Sequence, residues 1–116
     1  MTINVPKENI QAAFEQQILQ AWREAHGADT GTIHTSWGED RVVVMIEDVL
    51  LKGERLLAQS AAGKAVLDDY VSHLLAYVVE EQSKPLAQLL PRKIVDISIN
   101  TNTAEQWVMF IFRLGK

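Results

Sequence analysis

The sequence predicts an α+β fold in which a four-stranded antiparallel sheet carries helices on one face. Three observations lead there. Apolar residues recur with a helical period in the first quarter of the chain, two stretches of β-forming residues each double back around a polar turn, and a long helical run separates the two hairpins. The expected order is α-β-β-α-α-β-β, within one domain spanning residues 1–116.

Between Pro6 and His26, the residues Ile10, Phe14, Ile18, Trp22 and Ala25 follow one another at intervals of four, four, four and three, which lines them along one side of a helix. Pro6 suits the first turn, where its missing N–H costs nothing, and Gly27 suits the left-handed residue that closes a helix. Thr30 to Trp37 and Arg41 to Asp48 are rich in Thr, Ile, Val and Trp and are separated by Gly38-Glu39-Asp40, the pattern of a hairpin. Its second strand, Val42-Val43-Val44-Met45-Ile46, is apolar on both faces, so both need cover. Leu50 to Ala61 reads as a short helix, and Gly63 separates it from a longer one starting near Lys64. Val66, Leu67, Tyr70, Val71, Leu74, Leu75, Tyr77 and Val78 give the longer helix an apolar face wider than one stripe, as expected of a helix that packs on a sheet and touches a further partner. Pro85 predicts a kink or restart near Ser83, and Pro91 marks the end. From Lys93 to Thr101, Val95, Ile97 and Ile99 alternate with Asp96, Ser98 and Asn100, and a turn then leads into Glu105 to Leu114. The run from Trp107 to Phe112 is again apolar on both faces. Helices on one side of such a sheet leave apolar surface on the other, and a homodimer is the natural way to hide it.

The chain has 116 residues, 47% apolar and 22% charged, with a formal net charge of -4. A chain of this length buries roughly two thirds of its unfolded surface, enough for a single core. It has no cysteine, which excludes a disulfide framework, a thiolate metal site and a cysteine nucleophile. No uncharged apolar stretch approaches the ~20 residues of a membrane span. Lys7, Glu8, Glu15, Arg23 and Glu24 interrupt any signal-peptide core. The expectation is a soluble, cytoplasmic protein without direct membrane insertion. Net acidity and scattered basic residues argue against nucleic acid as a partner.

The three histidines, His26, His34 and His73, include no i, i+4 pair, so no metal site is expected. His26 falls where a helix C-terminus favours positive charge, and His73 follows Asp69 by four residues, an ordinary surface pair. The adjacent carboxylates Glu47-Asp48, Asp68-Asp69 and Glu80-Glu81 diverge in a strand or helix and read as solvated charges. No serine lies in a nucleophile motif and no glycine run forms a phosphate loop. Asp29-Thr30-Gly31-Thr32 reads as a helix-to-strand turn. The expectation is therefore a protein that is not an enzyme and carries no cofactor. Trp37 and Trp107, one in each hairpin, together with His34 and Arg41, mark the surface most suited to a ligand or a partner, with core or dimer packing as the alternative for the two indoles.

The helix closing at Gly27, the first hairpin, the stretch VLLKGERLLAQSAAGKAVLDDYVSHLL, the proline-interrupted SKPLAQLL and the closing VDISINTNTAEQWVMFIFRL together resemble the small MpsC family over residues 7–114. That family is named for the C component of a sodium-translocating, membrane-potential-generating system. Gly27-Ala28-Asp29-Thr30 stands where the family has a G-x-G-P turn, and Leu50-Leu51-Lys52-Gly53-Glu54 where it has L-T-x-x-E, keeping the Leu and the Glu. The resemblance implies a soluble accessory or regulatory protein without established enzymatic activity, linked to a membrane system for sodium or inorganic-carbon transport. The residues and the resemblance together lead to a non-enzymatic accessory protein acting through homodimerisation and protein contacts. The alternative is a sensor of a small metabolite or anion, with a pocket between the sheet and the long helix rimmed by Trp37, His34, Arg41 or Trp107. A third reading, an enzyme using His73 with Asp69 or Glu54, requires these side chains to converge in a cleft.

Overall fold

In the computed structural model, which describes residues 6–115, the elements run α1 (Glu8–His26), β1 (Thr32–Trp37), β2 (Arg41–Glu47), α2 (Lys52–Leu57), α3 (Ala61–Leu89), β3 (Ile94–Asn102) and β4 (Trp107–Leu114). The four strands form one antiparallel sheet in the order β1-β2-β4-β3. The two strands that are apolar on both faces are thus the central pair, each hydrogen-bonded on both edges. Two-sided apolar strands belong at the centre, where neighbours shield them laterally.

The register sorts the sheet into rows. On the helix-covered face, Trp37, Val42, Phe112 and Ile97 lie side by side, followed by Thr35, Val44, Phe110 and Ile99, and then Ile33, Ile46, Val108 and Thr101. The side chains of β2 and β4 in these rows are buried. Phe14 of α1 meets the first row, edge-on to both Trp37 (5.3 Å between centroids) and Phe112 (5.2 Å), the geometry that aromatic quadrupoles favour. Ile18 and Trp22 continue the stripe one and two turns later, both fully buried, and α3 adds Leu67, Val71, Leu75, Val78 and Leu86. Each such side chain contributes about 1.5–3 kcal/mol through its burial. At the open end of α1, Lys7 rather than Pro6 is the N-cap, so the proline stands just outside the first turn; Gly27, at φ 81°, closes the helix as expected.

Three features differ from expectation. First, α3 begins at Ala61 and includes Gly63, because the Ser60 hydroxyl accepts the Gly63 N–H at 3.0 Å and caps the helix. Gly63 is required by proximity: a Cβ there would lie 2.0 Å from the Leu57 carbonyl oxygen. Second, α3 runs through Pro85 without a restart. Pro85 and Glu81 are exposed, so the carbonyl that proline deprives of its partner opens to water, while Leu86 and Leu90 are buried and hold the last turns against the core. Third, a register irregularity between Ile94 and Asp96 turns Val95 out of the alternating set, leaving it 46% exposed, and Ile94 pairs with Leu114 instead.

Gly63→Ala is expected to lose about 1–3 kcal/mol of stability, since backbone must shift to admit the methyl. Gly53→Ala, in α2 where a Cβ meets nothing within 4 Å, is expected to be stabilising by up to about 1 kcal/mol. Urea unfolding of the two variants checks both signs.

Candidate functional site

The face of the sheet turned away from the helices carries four further rows: Arg41, Arg113 and Asp96; Ser36, Val43, Ile111 and Ser98; His34, Met45, Met109 and Asn100; and Thr32, Glu47, Trp107 and Asn102. Val43, Met45, Met109, Ile111 and Trp107 are only half-buried and form an apolar strip along β2 and β4. In these rows the flanking strands β1 and β3 contribute only polar side chains. Among the described residues, helices cover only one face of the sheet, and this strip is what the second apolar face of the central strands becomes.

Three of the four residues singled out in the sequence, Trp107, His34 and Arg41, share this face. The Trp107 indole N–H donates to Glu105 at 3.3 Å, and His34 Nε2 lies 3.8 Å from Glu47. Arg41 is 3.4 Å from the neighbouring Asp40 and stays largely exposed. Trp37 is placed on the opposite face, against Phe14, because the hairpin register sets it opposite Val42. Its indole N–H is buried without a hydrogen-bond partner among the described residues. The four residues therefore line no common pocket. The concavities of the surface lie elsewhere: a wide groove of about 510 Å³ beside Gln16, Gln20, Arg23 and Asp29, and smaller ones between α1 and α3 and beside the β3–β4 turn. Arg23 is already engaged with the carbonyls of Thr30 and Gly31.

A second cluster joins residues far apart in sequence. The His26 side chain is fully enclosed, with its ring stacked 4.9 Å from that of Trp22. Thr30 Oγ1 donates to the Val49 carbonyl at 2.7 Å, so it meets His26 Nδ1 at 3.1 Å as an acceptor. Glu54 accepts from His26 Nε2 at 2.9 Å. Both ring nitrogens of His26 are thus engaged, one by Thr30 and the other by Glu54. The order Thr–His–Glu has the look of a nucleophile triad, but the hydroxyl proton is committed to Val49 and the imidazole has no exposure, so these contacts make a structural corner joining α1, the turn after it and α2. Glu54, at the N3 position of α2, also accepts the N–H of the N-cap residue Leu51 at 2.8 Å, the half of a capping box that an N3 carboxylate supplies. His73 does not converge with Glu54: it lies on the surface of α3 with Asp69, and both side chains are 77% exposed.

Asp68 departs from the reading of its pair as solvated charge. Its carboxylate accepts the N–H (3.0 Å) and hydroxyl (2.6 Å) of the buried Thr103 and the Lys64 ammonium at 2.6 Å, pinning the β3–β4 turn to α3. Burial pushes the Asp68 carboxyl upward, but the hydrogen bonds from Lys64 and Thr103, with the Lys64 charge, outweigh it and hold the group below its usual value of 3.8.

A family model described as "Na+-translocating membrane potential-generating system (MpsC)" matches residues 6–116. The chain belongs to the MpsC family. Comparison with curated proteins finds no match. In this MpsC chain, Glu54, the acid that stands at the end of the family's L-T-x-x-E pattern, is the residue that holds His26. Among the described residues, no helix of the MpsC chain is long and apolar enough to cross a membrane, and no group of three or more His, Asp or Glu side chains is placed to hold a metal ion.

Glu54→Ala strands the enclosed His26 donor and is expected to lower stability by about 1–3 kcal/mol, read from the shift of the chemical unfolding midpoint at constant m-value. Because the Asp68 carboxyl sits below its unfolded-state value, its stabilising contribution is present above pH 4 and is lost as pH falls through the lowered pKa. Asp68→Asn should therefore flatten the acid limb of the stability profile, measured as melting temperature from pH 6 down to pH 2.5.

Proposed function

We propose that this MpsC-family chain is a non-enzymatic accessory protein that works by self-association and protein contacts, on the cytoplasmic side of a membrane system transporting sodium or inorganic carbon. The observation that carries the reading is the apolar strip on the open sheet face, which is flanked by polar strands and turned away from every helix of its own chain. A contiguous apolar strip with a polar surround is the anatomy of a protein interface. A second surface is left for a different protein: on the outer side of α3, Val66, Tyr70 and Tyr77 are 64%, 47% and 54% exposed and follow one another at helical spacing. Asp69, Glu80 and Glu81 lie on the same exposed side of the helix.

The test is capture by the tagged protein from its native cells, with identification of what is recovered and light scattering of the bait alone. Recovery of a sodium- or inorganic-carbon-transport subunit by a dimeric bait supports the proposal, and Tyr70→Ala combined with Tyr77→Ala should abolish the capture while leaving the dimer intact. A monodisperse monomer that recovers no transport subunit overturns it.

A further inference from the structure

Which partner fits the open sheet face can be read from its ends. Six residues of strand, about 20 Å, separate the row of Arg41 and Arg113 from the row of Glu47 and Trp107. At the first end the face carries two guanidinium groups with Asp96 beside them; at the second it carries Glu47 and an indole, with the Glu105 carboxylate held at the indole N–H. Between the ends, Val43 and Ile111 form one apolar row and Met45 and Met109 the next. The face is thus polar at both ends, opposite in sign, and apolar in the middle, which makes it complementary to itself when reversed.

We propose that two copies of the chain pack open face to open face about a two-fold axis running across the strands, so that Arg41 and Arg113 of each copy lie against Glu47 and Trp107 of the other. This inference rests on the self-association reading above and specifies its geometry. A two-fold across the strands keeps β2 over β2 and β4 over β4 while exchanging their ends. Each Arg41 then meets a Glu47, each Arg113 meets the face of a Trp107, and the row of Val43 and Ile111 settles on the row of Met45 and Met109. The ion pair and the cation–π contact each occur twice, as a closed isologous interface requires. Sheets stacked face to face in this way lie about 10 Å apart with a crossing near 30°, within reach of these side chains. The other face-to-face two-fold, with its axis along the strands, brings four guanidinium groups together at one end and both Glu47 carboxylates at the other, and like charges so placed reject it. Arg41 and Glu47 are 57% and 51% exposed within one chain, and their contacts to Asp40 and His34 are long, at 3.4 and 3.8 Å, so both remain available to the second copy. The rim formed by Thr32, His34, Ser36, Ser98, Asn100 and Asn102 is polar throughout, and an apolar centre rich in Met and Trp within such a rim is the composition of a dimer contact.

Charge reversal tests the arrangement. Arg41→Glu sets carboxylates against carboxylates at both contacts, and Glu47→Arg sets guanidinium groups against guanidinium groups. Each variant alone should dimerise at least tenfold more weakly than the wild type by sedimentation, with unchanged circular dichroism, since both side chains are on the surface. Mixed in equal amounts, the two variants place opposite charges at both contacts, and the heterodimer should form with near wild-type affinity. A wild-type dimer indifferent to both substitutions, or variants that do not recover on mixing, overturns this geometry and leaves self-association standing through another face. A wild type that stays monomeric at high concentration removes both.

Discussion

The pairing of β2 with β4 is the constraint on which the rest of the structure depends. Each strand belongs to a different hairpin, each is apolar on both sides, and each has a mostly polar or half-exposed outer neighbour. Joined at the centre, they present one face on which Phe14, Ile18 and Trp22 of α1 and the inner side of α3 can settle, and the position of every helix follows from that face. The same pairing necessarily produces a second apolar strip opposite. With both long helices on one side, no element among the described residues covers it, so the strip is a direct product of the packing that makes the core.

Polar contacts fix the ends of this arrangement rather than its middle. His26 with Glu54 secures the turn between α1 and the sheet, Asp68 secures the β3–β4 turn against α3, and Arg92 donates to the carbonyls of Glu39, Leu114 and Gly115 where the two hairpins meet. In each case a charged side chain takes up backbone or side-chain groups that the loops would otherwise leave unmatched, and charge-assisted bonds of this type are stronger than neutral ones. The interior between them is filled almost wholly by hydrocarbon and aromatic rings.

Periodicity made the elements legible in the sequence, and residue chemistry showed that β2 and β4 need cover on both sides. Neither could say that these strands pair with each other, because pairing across more than fifty residues leaves no local mark. No restart occurs at Pro85 because the proline faces water, where the carbonyl it leaves unpaired can be hydrated. The alternation from Val95 to Ile99 hid a bulge, which a single extra backbone residue creates without any change of composition. Trp37 and Trp107 looked equivalent, yet strand parity sends one to the core and the other to the open face. The partnership of His26 with Glu54 joins groups 28 positions apart, and only the return of the chain through the first hairpin brings them together.

The connectivity of the central pair also governs the order in which the molecule can be made. Both hairpins are local and close quickly, whereas residues 41–47 find residues 107–113 only after the whole intervening helical stretch has been synthesised. A nascent chain therefore emerges with β2 as an edge strand, apolar on both sides and with one row of backbone groups unclaimed, until the C-terminal hairpin arrives. Such an edge is a template for intermolecular pairing, and the apolar faces of α1 and α3, both synthesised before the C-terminal hairpin, are what is then available to shelter it. Shortening the chain at its C-terminus by one strand would do more than remove a peripheral element: it would hold the molecule in this adhesive intermediate.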